Sequence, residues 1–510
     1  MNSDFLNKYS HKIKTLNEIK KILPRNKKTI LCHGHFDVVH PGHVRHLIYA
    51  KSKADILIVS ITSDIYVTKG AYRPHVPENI RALNIAAFEV VNYVLIDHDY
   101  KPLNLLKMLK PNYFAKGFEY SSNKLYAATQ EELKLISSYG GKMIFTPGDL
   151  VYSSSNFLKE SPPELKIEKL LEVMKTNNIS FKKLLKIVND FKKLSIHIVG
   201  DVIVDTYTNT SLIGGQTKTP TVSVLKNSET HYVGGAGVVA LNVANTGAKV
   251  FLSTVIGNDF FGKLVKKNLK KIILLPIVDN TRPTTNKNSI VCKDYKLLKI
   301  DILDNQPISK KVLNLLSSQL KKYNTSGVIF SDFRHGIFNK ESIESLIKSI
   351  KKNTFKSADS QVASRWGNIT DFKNFDLITP NEKEARFSIS DQDSSLSSLT
   401  KKVIKLSKCK NMILKLGDRG AFGVENKKNI KSFHISSFAN SVVDAVGTGD
   451  ALLAYSTLAM ISSKSLAASI IIGSIAAACK CETRGNNPVS LKEVIEKIKN
   501  IAELTKYKFL

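Results

Sequence analysis

Residues 29–43 read Thr29-Ile30-Leu31-Cys32-His33-Gly34-His35-Phe36-Asp37-Val38-Val39-His40-Pro41-Gly42-His43. The first five form an apolar run of strand length, and a glycine-bearing loop then leads into a helical pattern over His43 to Ser52. A strand that ends in such a loop before a helix is where a phosphate sits on exposed backbone N–H groups. Two histidines separated by Pro41-Gly42 put two imidazoles on one short turn. There they can donate hydrogen bonds to phosphate oxygens as charge builds on phosphorus. Gly42 lets the backbone approach a nucleotide where a Cβ would obstruct it. The same residues admit two other readings. His33, His35, His40 and His43 could ligate a metal, since a strand puts His33 and His35 on one face, but no nearby carboxylate or cysteine completes a familiar zinc spacing. The turn could also be purely structural.

Outward from this stretch, strand-like runs recur at Asp55 to Thr62, Asn92 to Ile96 and Lys142 to Thr146. Helical patterns lie between them at Glu78 to Glu89 and Pro102 to Leu109, and a polar amphipathic helix is expected from about Ser3 to Leu23. Alternating strand and helix predicts an α/β domain with a parallel sheet over residues 1–160. Residues 161–194 begin Ser161-Pro162-Pro163 and carry Phe181, Leu184, Leu185, Val188 and Phe191 at helical spacing behind a Ser180 cap. They read as a helical connector whose apolar face packs on the second domain. That domain is a second α/β alternation, which starts at Ser195-Ile196-His197-Ile198-Val199-Gly200-Asp201 and occupies residues 195–510.

Composition bounds the function. The 510 residues are 43% hydrophobic and 23% charged, as in soluble globular proteins, which excludes a disordered or collagen-like chain. The five cysteines are few, odd in number and mostly far apart, so a reducing cytoplasm is expected and Cys479 with Cys481 reads as core packing. The start of the chain lacks an apolar signal core. The apolar stretch Ala451 to Cys479 is interrupted by Ser456, Ser462, Ser463, Lys464 and Ser465, so two buried helices are expected rather than a membrane span. Lys+Arg number 75 against 44 Asp+Glu, a net charge of +31. That excess would favour polyphosphate. Yet lysine dominates and is scattered, and neither an aromatic-interleaved basic stretch nor a recognition-helix pattern occurs. No specific nucleic-acid partner is expected, although a basic protein using these folds as a scaffold is the reading from another class. Small anionic substrates would be drawn to the same surface.

A second chemical stretch reads Val443-Asp444-Ala445-Val446-Gly447-Thr448-Gly449-Asp450-Ala451, followed by an apolar helical run. Two glycines before a helix expose successive N–H groups as an anion nest, reinforced by the helix dipole. Asp450 beside it could take a proton from an attacking hydroxyl, or could serve simply as an N-cap.

Two resemblances sharpen these readings. The His40-Pro41-Gly42-His43 turn, with Lys69-Gly70-Ala71-Tyr72-Arg73-Pro74, Arg81, Lys110-Pro111, Lys116-Gly117 and Tyr152-Ser153-Ser154-Ser155-Asn156, resembles the cytidylyltransferase-like nucleotidyltransferases. It implies a Rossmann-like domain in which a phosphate monoester attacks the α-phosphorus of a nucleoside triphosphate, releasing pyrophosphate. His40 and His43 would stabilise the transition state, and Lys69 or Arg73 would hold the acceptor phosphate or the β/γ-phosphates. Ser153, Ser154 and Ser155 would cradle the triphosphate, with Gly34, Phe36, Asp37, Gly42 and Lys116 completing the nucleotide site. The second half carries Val233-Gly234-Gly235-Ala236-Gly237, Thr379-Pro380-Asn381-Glu382-Lys383-Glu384 and Lys415-Leu416-Gly417-Asp418-Arg419-Gly420, with Asp201 and Asp205. It resembles the ribokinase-like (PfkB) sugar kinases. That implies ATP-dependent phosphorylation of a sugar hydroxyl, with Asp450 as base and Gly447, Thr448 and Gly449 as anion hole. Asn381 and Glu384 would arrange Mg²⁺ through water, while Lys415, Gly417 and Gly420 would serve the nucleotide. Asp205, Gly234, Gly235 and Lys287 would serve the acceptor. Two positions depart from the pattern: Val238 stands where relatives commonly have Asn, and Ser289 where heptose kinases tend to have Arg.

Together the halves are similar to the bifunctional heptose 7-phosphate kinase/heptose 1-phosphate adenylyltransferases of bacterial envelope synthesis, with the two domains in reversed order. The resemblance implies a nucleotide-activated sugar as product, ADP-linked, with a CDP-linked product from CTP as the alternative. It also implies a separate phosphatase between the two steps and a homo-oligomer.

Overall fold

The computed structural model describes residues 9–24, 26–67, 74–99, 101–117, 127–146, 166–213, 221–293, 295–362, 366–427, 430–483 and 485–507. They form two compact units, one built mainly from the chain before residue 166 and the other mainly from the chain after it.

In the first unit, β1 (Thr29–Gly34), β2 (Ile56–Thr62), β3 (Tyr93–Asp97), β4 (Tyr113–Gly117) and β5 (Lys142–Thr146) pair in parallel, in the order β3-β2-β1-β4-β5. β2 is buried at every position, as its uninterrupted Ile-Leu-Ile-Val run requires of a strand covered on both faces. Alternate residues feed two cores. Ile30, Cys32, Leu57, Val59 and Ile61 meet Leu47 and Ala50 of helix Pro41–Lys51 and Ala82 and Ile85 of helix Glu78–Ala86. Leu31, Ile56 and Ile58 meet Ile19, Leu105, Leu106 and Ile136 on the other side. The helix after β1 thus covers one face and the helix after β4, Ala127–Ser138, the other. The order in which strands are added switches side of β1 between β3 and β4, and such a switch point opens a crevice at the carboxyl ends of β1 and β4. Residues 3–8 of the expected N-terminal helix lie outside the described residues, and within them the helix is not continuous: a helix spans Leu16–Ile22 behind the capping box of Thr15 and Glu18, while Ile13 bridges to Val94.

The second unit is organised around a nine-stranded sheet of β6 (Ser195–Gly200), β9 (Lys249–Ile256), β10 (Ile273–Val278), β13 (Gly327–Asp332), β14 (Phe355–Ser360), β15 (Leu377–Ile378), β16 (Asn411–Lys415), β17 (Ala421–Glu425) and β18 (Lys431–Ile435). The order is β10-β9-β6-β13-β14-β15-β16-β17-β18, parallel as far as β16 and antiparallel beyond. Helices Thr448–Ser463 and Leu466–Cys481 are buried along most of their length and share the main core. They separate where Lys464 turns left-handed at φ 54° and Ser465 caps the second helix. Among the described residues no helix is long and apolar enough to cross a membrane. Helices Lys166–Thr176 and Phe181–Asn189 contribute Leu170, Val173, Leu184, Ile187 and Val188 to the same core. Phe191 meets Tyr455 edge-on at 6.2 Å.

A second sheet was not foreseen. β7 (Val202–Leu212), β8 (Val224–Gly235), β11 (Asn286–Cys292) and β12 (Tyr295–Ile302) pair in the order β12-β11-β7-β8. Its strands mix Thr, Asn, Lys and Glu with apolar residues, and β8 and β12 are largely exposed, as suits a sheet covered on one face only.

Candidate active sites

The first site forms where β1 ends. His40 is the N-cap of helix Pro41–Lys51, its Nδ1 accepting from the Gly42 amide at 3.2 Å. The His40 and His43 rings lie 3.9 Å apart between centroids, and Phe36 stands 5.1 Å from His43. Gly42 is needed for a reason beyond the expected close approach to nucleotide: a Cβ there would press on the His40 ring at 2.9 Å. Burial, reinforced by His40 and His46, pushes the His43 imidazole down to about 3, so at neutral pH it is an uncharged hydrogen-bonding group.

The supporting residues are inside. Phe36 is held at φ 47°, in the left-handed region that disfavours a bulky residue. Asp37 is buried and turned inward, its Oδ1 accepting from the amides of His75 at 2.7 Å and Val76 at 2.9 Å. Arg81 has no exposed surface and spends its guanidinium on the loop. It donates to the carbonyls of Val76 at 2.9 Å, Thr62 at 2.8 Å and His35, and pairs with Asp64 at 2.6 Å. Lys116, across the crevice on β4, pairs with the buried Glu132. Gly34 ends β1 with the Phe36 ring against its Cα. The expected partners Lys69, Arg73, Ser153, Ser154 and Ser155 lie outside the described residues.

The second site gathers at the carboxyl ends of β14, β15 and β16. Helix Thr448–Ser463 is capped by Gly447 at φ 77°, so Asp450 is the third residue of its first turn and not the N-cap. The Gly449 and Asp450 amides therefore belong to the turn whose N–H groups have no intrahelical acceptor. The Thr448 hydroxyl beside them is buried without a hydrogen-bond partner among the described residues. Lys415 lies against Gly449, its Nζ 3.2 Å from where a Cβ would stand, and it pairs with Asp359 at 2.7 Å. Burial works against the Lys415 charge, but Asp359 and Glu384 outweigh it and hold the ammonium above its usual value. Burial and the Asp359 carboxylate push Asp450 up to about 7, against the pull of Lys415. Glu384 also stands at about 7, chiefly through burial. It closes a reciprocal cap with Asn381, amide to side chain at 2.7 and 2.8 Å. Gly417 keeps open space beside it, whereas Gly420, at φ 91°, is packed on the Ile435 carbonyl.

The four-stranded sheet supplies the remaining wall. Asp205 pairs with Lys287 across β7 and β11, Tyr207 with Ser289, and Ser289 with Lys299 of β12. Residues paired in this way share one face. A cavity of about 290 Å³ is lined by Asp205, Tyr207, Ser289, Lys296, Leu298, Lys299 and Val446. The Asp205 Oδ2 approaches the Gly234 Cα too closely for any Cβ, and accepts from Asn486 Nδ2 at 2.9 Å. Gly235, at φ 58°, caps helix Ala236–Ala244. Val238 is wholly buried in that helix.

This arrangement of β-sheet wall, glycine-capped helix and carboxylate belongs with a sequence match. The pfkB family carbohydrate kinase profile covers residues 193–493. The chain belongs to the pfkB family. Residues 31–179 match the cytidylyltransferase-like family, so a Rossmann-like nucleotidyltransferase fold precedes the pfkB fold. The bifunctional protein HldE of Sulfurimonas denitrificans is 28% identical over 322 residues, which is 61% of this chain and 65% of that protein. HldE of Campylobacter concisus is 34% identical over 147 residues, 28% of this chain and 31% of that one. The chain thus spans less than two thirds of the length of these two relatives. Among solved structures, phosphofructokinase-2 from Escherichia coli in complex with potassium covers 61% of this chain and 99% of its own, at 17% identity and a TM-score of 0.51.

Several residues at or near this second candidate site carried no motif. Asp359 lies one residue before the end of a strand with no flanking glycine, and Lys296 and Lys299 read as surface charge. Asn486 is 281 residues from Asp205, beyond any spacing argument. His335 is buried with neither ring nitrogen partnered among the described residues.

Proposed function

We propose that this protein makes a nucleotide-activated sugar with two separate sites, a sugar kinase in residues 195–510 and a nucleotidyltransferase in residues 1–160, residues 161–194 linking them. The reading rests on the paired glycine-bearing strand-to-helix loops, each with its own reacting side chains. The HldE relatives support an ADP-heptose type of product.

In the kinase site, the sugar hydroxyl gives its proton to Asp450 as its oxygen bonds to the γ-phosphorus of ATP. The β–γ bridge breaks and ADP leaves. The first-turn amides after Gly447 and the Lys415 ammonium face the charge that builds on the transferred group. Among the described residues no three His, Cys, Asp or Glu side chains gather as a metal site. The residues instead fit a hydrated Mg²⁺ brought in on the nucleotide phosphates, which suits that ion's reluctance to shed water. Asp359 Oδ1, buried without a partner among the described residues, and the Asn381–Glu384 pair would receive its waters. Asp205, Gly234, Gly235 and Lys287 serve the acceptor. Lys296 and Lys299 place positive charge beside Ser289, which supports a phosphorylated acceptor despite the missing arginine.

In the transferase site, a phosphate oxygen of the sugar 1-phosphate attacks the α-phosphorus, and pyrophosphate leaves. His40 and the neutral His43 donate hydrogen bonds to that phosphoryl group. Gly34, Phe36, Asp37, Gly42 and Lys116 shape the nucleotide site, with Lys69, Arg73 and the Ser153–Ser155 run completing it. A separate phosphatase acts between the steps, and the enzyme works in the cytoplasm as a homo-oligomer. Exposed Leu212, Leu225, Tyr295, Leu298, Ile300 and Ile302 on the four-stranded sheet support association.

Incubating the protein with ATP or CTP and a panel of sugars and sugar phosphates tests this. ADP formation from ATP with a sugar phosphate, and pyrophosphate release with a sugar 1-phosphate, are expected. Absence of both products overturns the proposal, and pyrophosphate release with CTP alone would make the product CDP-linked.

A further inference from the structure

Helix Leu466–Cys481 is apolar almost throughout, yet its penultimate residue is a lysine with no exposed surface. Burying an ammonium is costly unless it is paired, and in such an environment its hydrogen bonds decide where it can sit. Lys480 Nζ donates to the carbonyl of Gly485 at 2.8 Å. The Gly485 amide in turn donates to Asp444 Oδ2 at 3.1 Å, and Asp444 Oδ1 accepts from Val446 at 3.1 Å, one residue before Gly447. The helix end is tied to the same loop, since the Cys481 carbonyl accepts from the amides of Val443 at 2.8 Å and Asp444 at 3.0 Å.

Two further contacts carry this network into the site. A Cβ on Gly447 would stand 3.3 Å from Lys480 Cε and would strike the side-chain oxygen of Asn486. The other end of that amide donates to Asp205 at 2.9 Å. One buried cation therefore sits behind the glycine loop and anchors the turn whose next residue orients the acceptor-site carboxylate. Burial lowers the Lys480 ammonium below its ordinary value, and the fields of Asp444, Cys481 and Asp450 oppose that loss of charge.

We infer that Lys480 is a positioning residue for phosphoryl transfer, an internal cation that fixes the Gly485–Asn486 turn against the Gly447 loop and, through Asn486, sets the Asp205 carboxylate. It touches no reacting atom. The inference rests on the kinase reading above, and displacement of such a support by about 1 Å can cost about a hundredfold in rate.

The test compares the full-length parent with Lys480→Met, Asn486→Ala and the double variant, measuring ADP formation, acceptor KM and pyrophosphate release. Lys480→Met is expected to lower kcat for phosphorylation by about tenfold to a hundredfold, with pyrophosphate release unchanged. Added methylammonium or K⁺ should restore part of the loss, which a purely structural defect would not allow. The double variant should be no worse than the poorer single one, because both act through one turn. Unchanged kcat in Lys480→Met overturns the inference, as does a loss without cation rescue or fully additive losses. Should Lys480→Met fail to fold, Asn486→Ala decides: an acceptor KM and kcat equal to the parent's would overturn it. A parent with no kinase turnover would instead refute the kinase reading. The inference would then be judged by MgATP titration of parent and Lys480→Met, equal affinities counting against it.

Discussion

Asp450→Asn separates catalysis from stability in a single substitution. The buried carboxyl is raised from an ordinary value of 3.8 to about 7, a gap worth about 4 kcal/mol at 1.36 kcal/mol per pH unit. The sign follows from the direction. A folded carboxyl that holds its proton more tightly than the unfolded one contributes stability that is complete below about 3.8 and is lost as pH rises through about 7. The asparagine carries no charge at any pH. Its melting temperature should therefore exceed the parent's at pH 8.5, by about 2–4 °C for each kcal/mol relieved, and the difference should shrink by pH 5.5. ADP formation should fall by about 10²–10⁴-fold, the usual contribution of a general base. Pyrophosphate release, which uses the other site, should stay at the parental rate. Scanning fluorimetry at the two pH values and a coupled ADP assay read both effects. Turnover within tenfold of the parent would remove Asp450 as base, and a lower melting temperature at pH 8.5 would refute the account of its burial.

Other outcomes are equally definite. His43→Ala should abolish pyrophosphate release while leaving ADP formation intact, as read by product analysis of one preparation. Because His43 is pushed down to about 3 by burial, the parental rate of pyrophosphate release should show no titration of this residue near 6.5, and a pH profile between 5 and 8 checks that. Arg81→Met strips the half-buried Asp64 carboxylate and three carbonyls of the donor from a fully buried guanidinium, and should cost the first unit about 3 kcal/mol in urea unfolding. Replacing Lys296 and Lys299 together by Met should raise KM for a phosphorylated acceptor and leave that for a neutral sugar unchanged.

Much of this was legible in the chain because its local chemistry and its fold agree. The Thr29–His33 run, the His40–His43 turn and the Gly447–Asp450 stretch each join a strand or loop to a helix, and contiguous residues decide that geometry. The four-stranded sheet was hidden because one-sided strands such as β8, with Lys226, Asn227, Ser228 and Glu229 in succession, lack the apolar signal of buried ones. Long-range partners were hidden for a different reason. Asn486 meets Asp205, and Lys480 comes to lie behind the Gly447 loop, only after packing, so nothing in the spacing of these residues announces them. The long N-terminal helix was an error of the opposite kind, since periodicity ran on through Ile13, which pairs with Val94 instead.

The Ser289–Lys299 pairing has a wider implication. Positive charge at one spot in space can be supplied by the neighbouring strand when the paired position itself carries a small polar residue. A survey that sorts sugar kinases by the identity of that single column would file this protein with those acting on uncharged sugars. Sorting by the summed charge of the cross-strand pair would place it with those acting on phosphorylated sugars, in line with the acceptor proposed above.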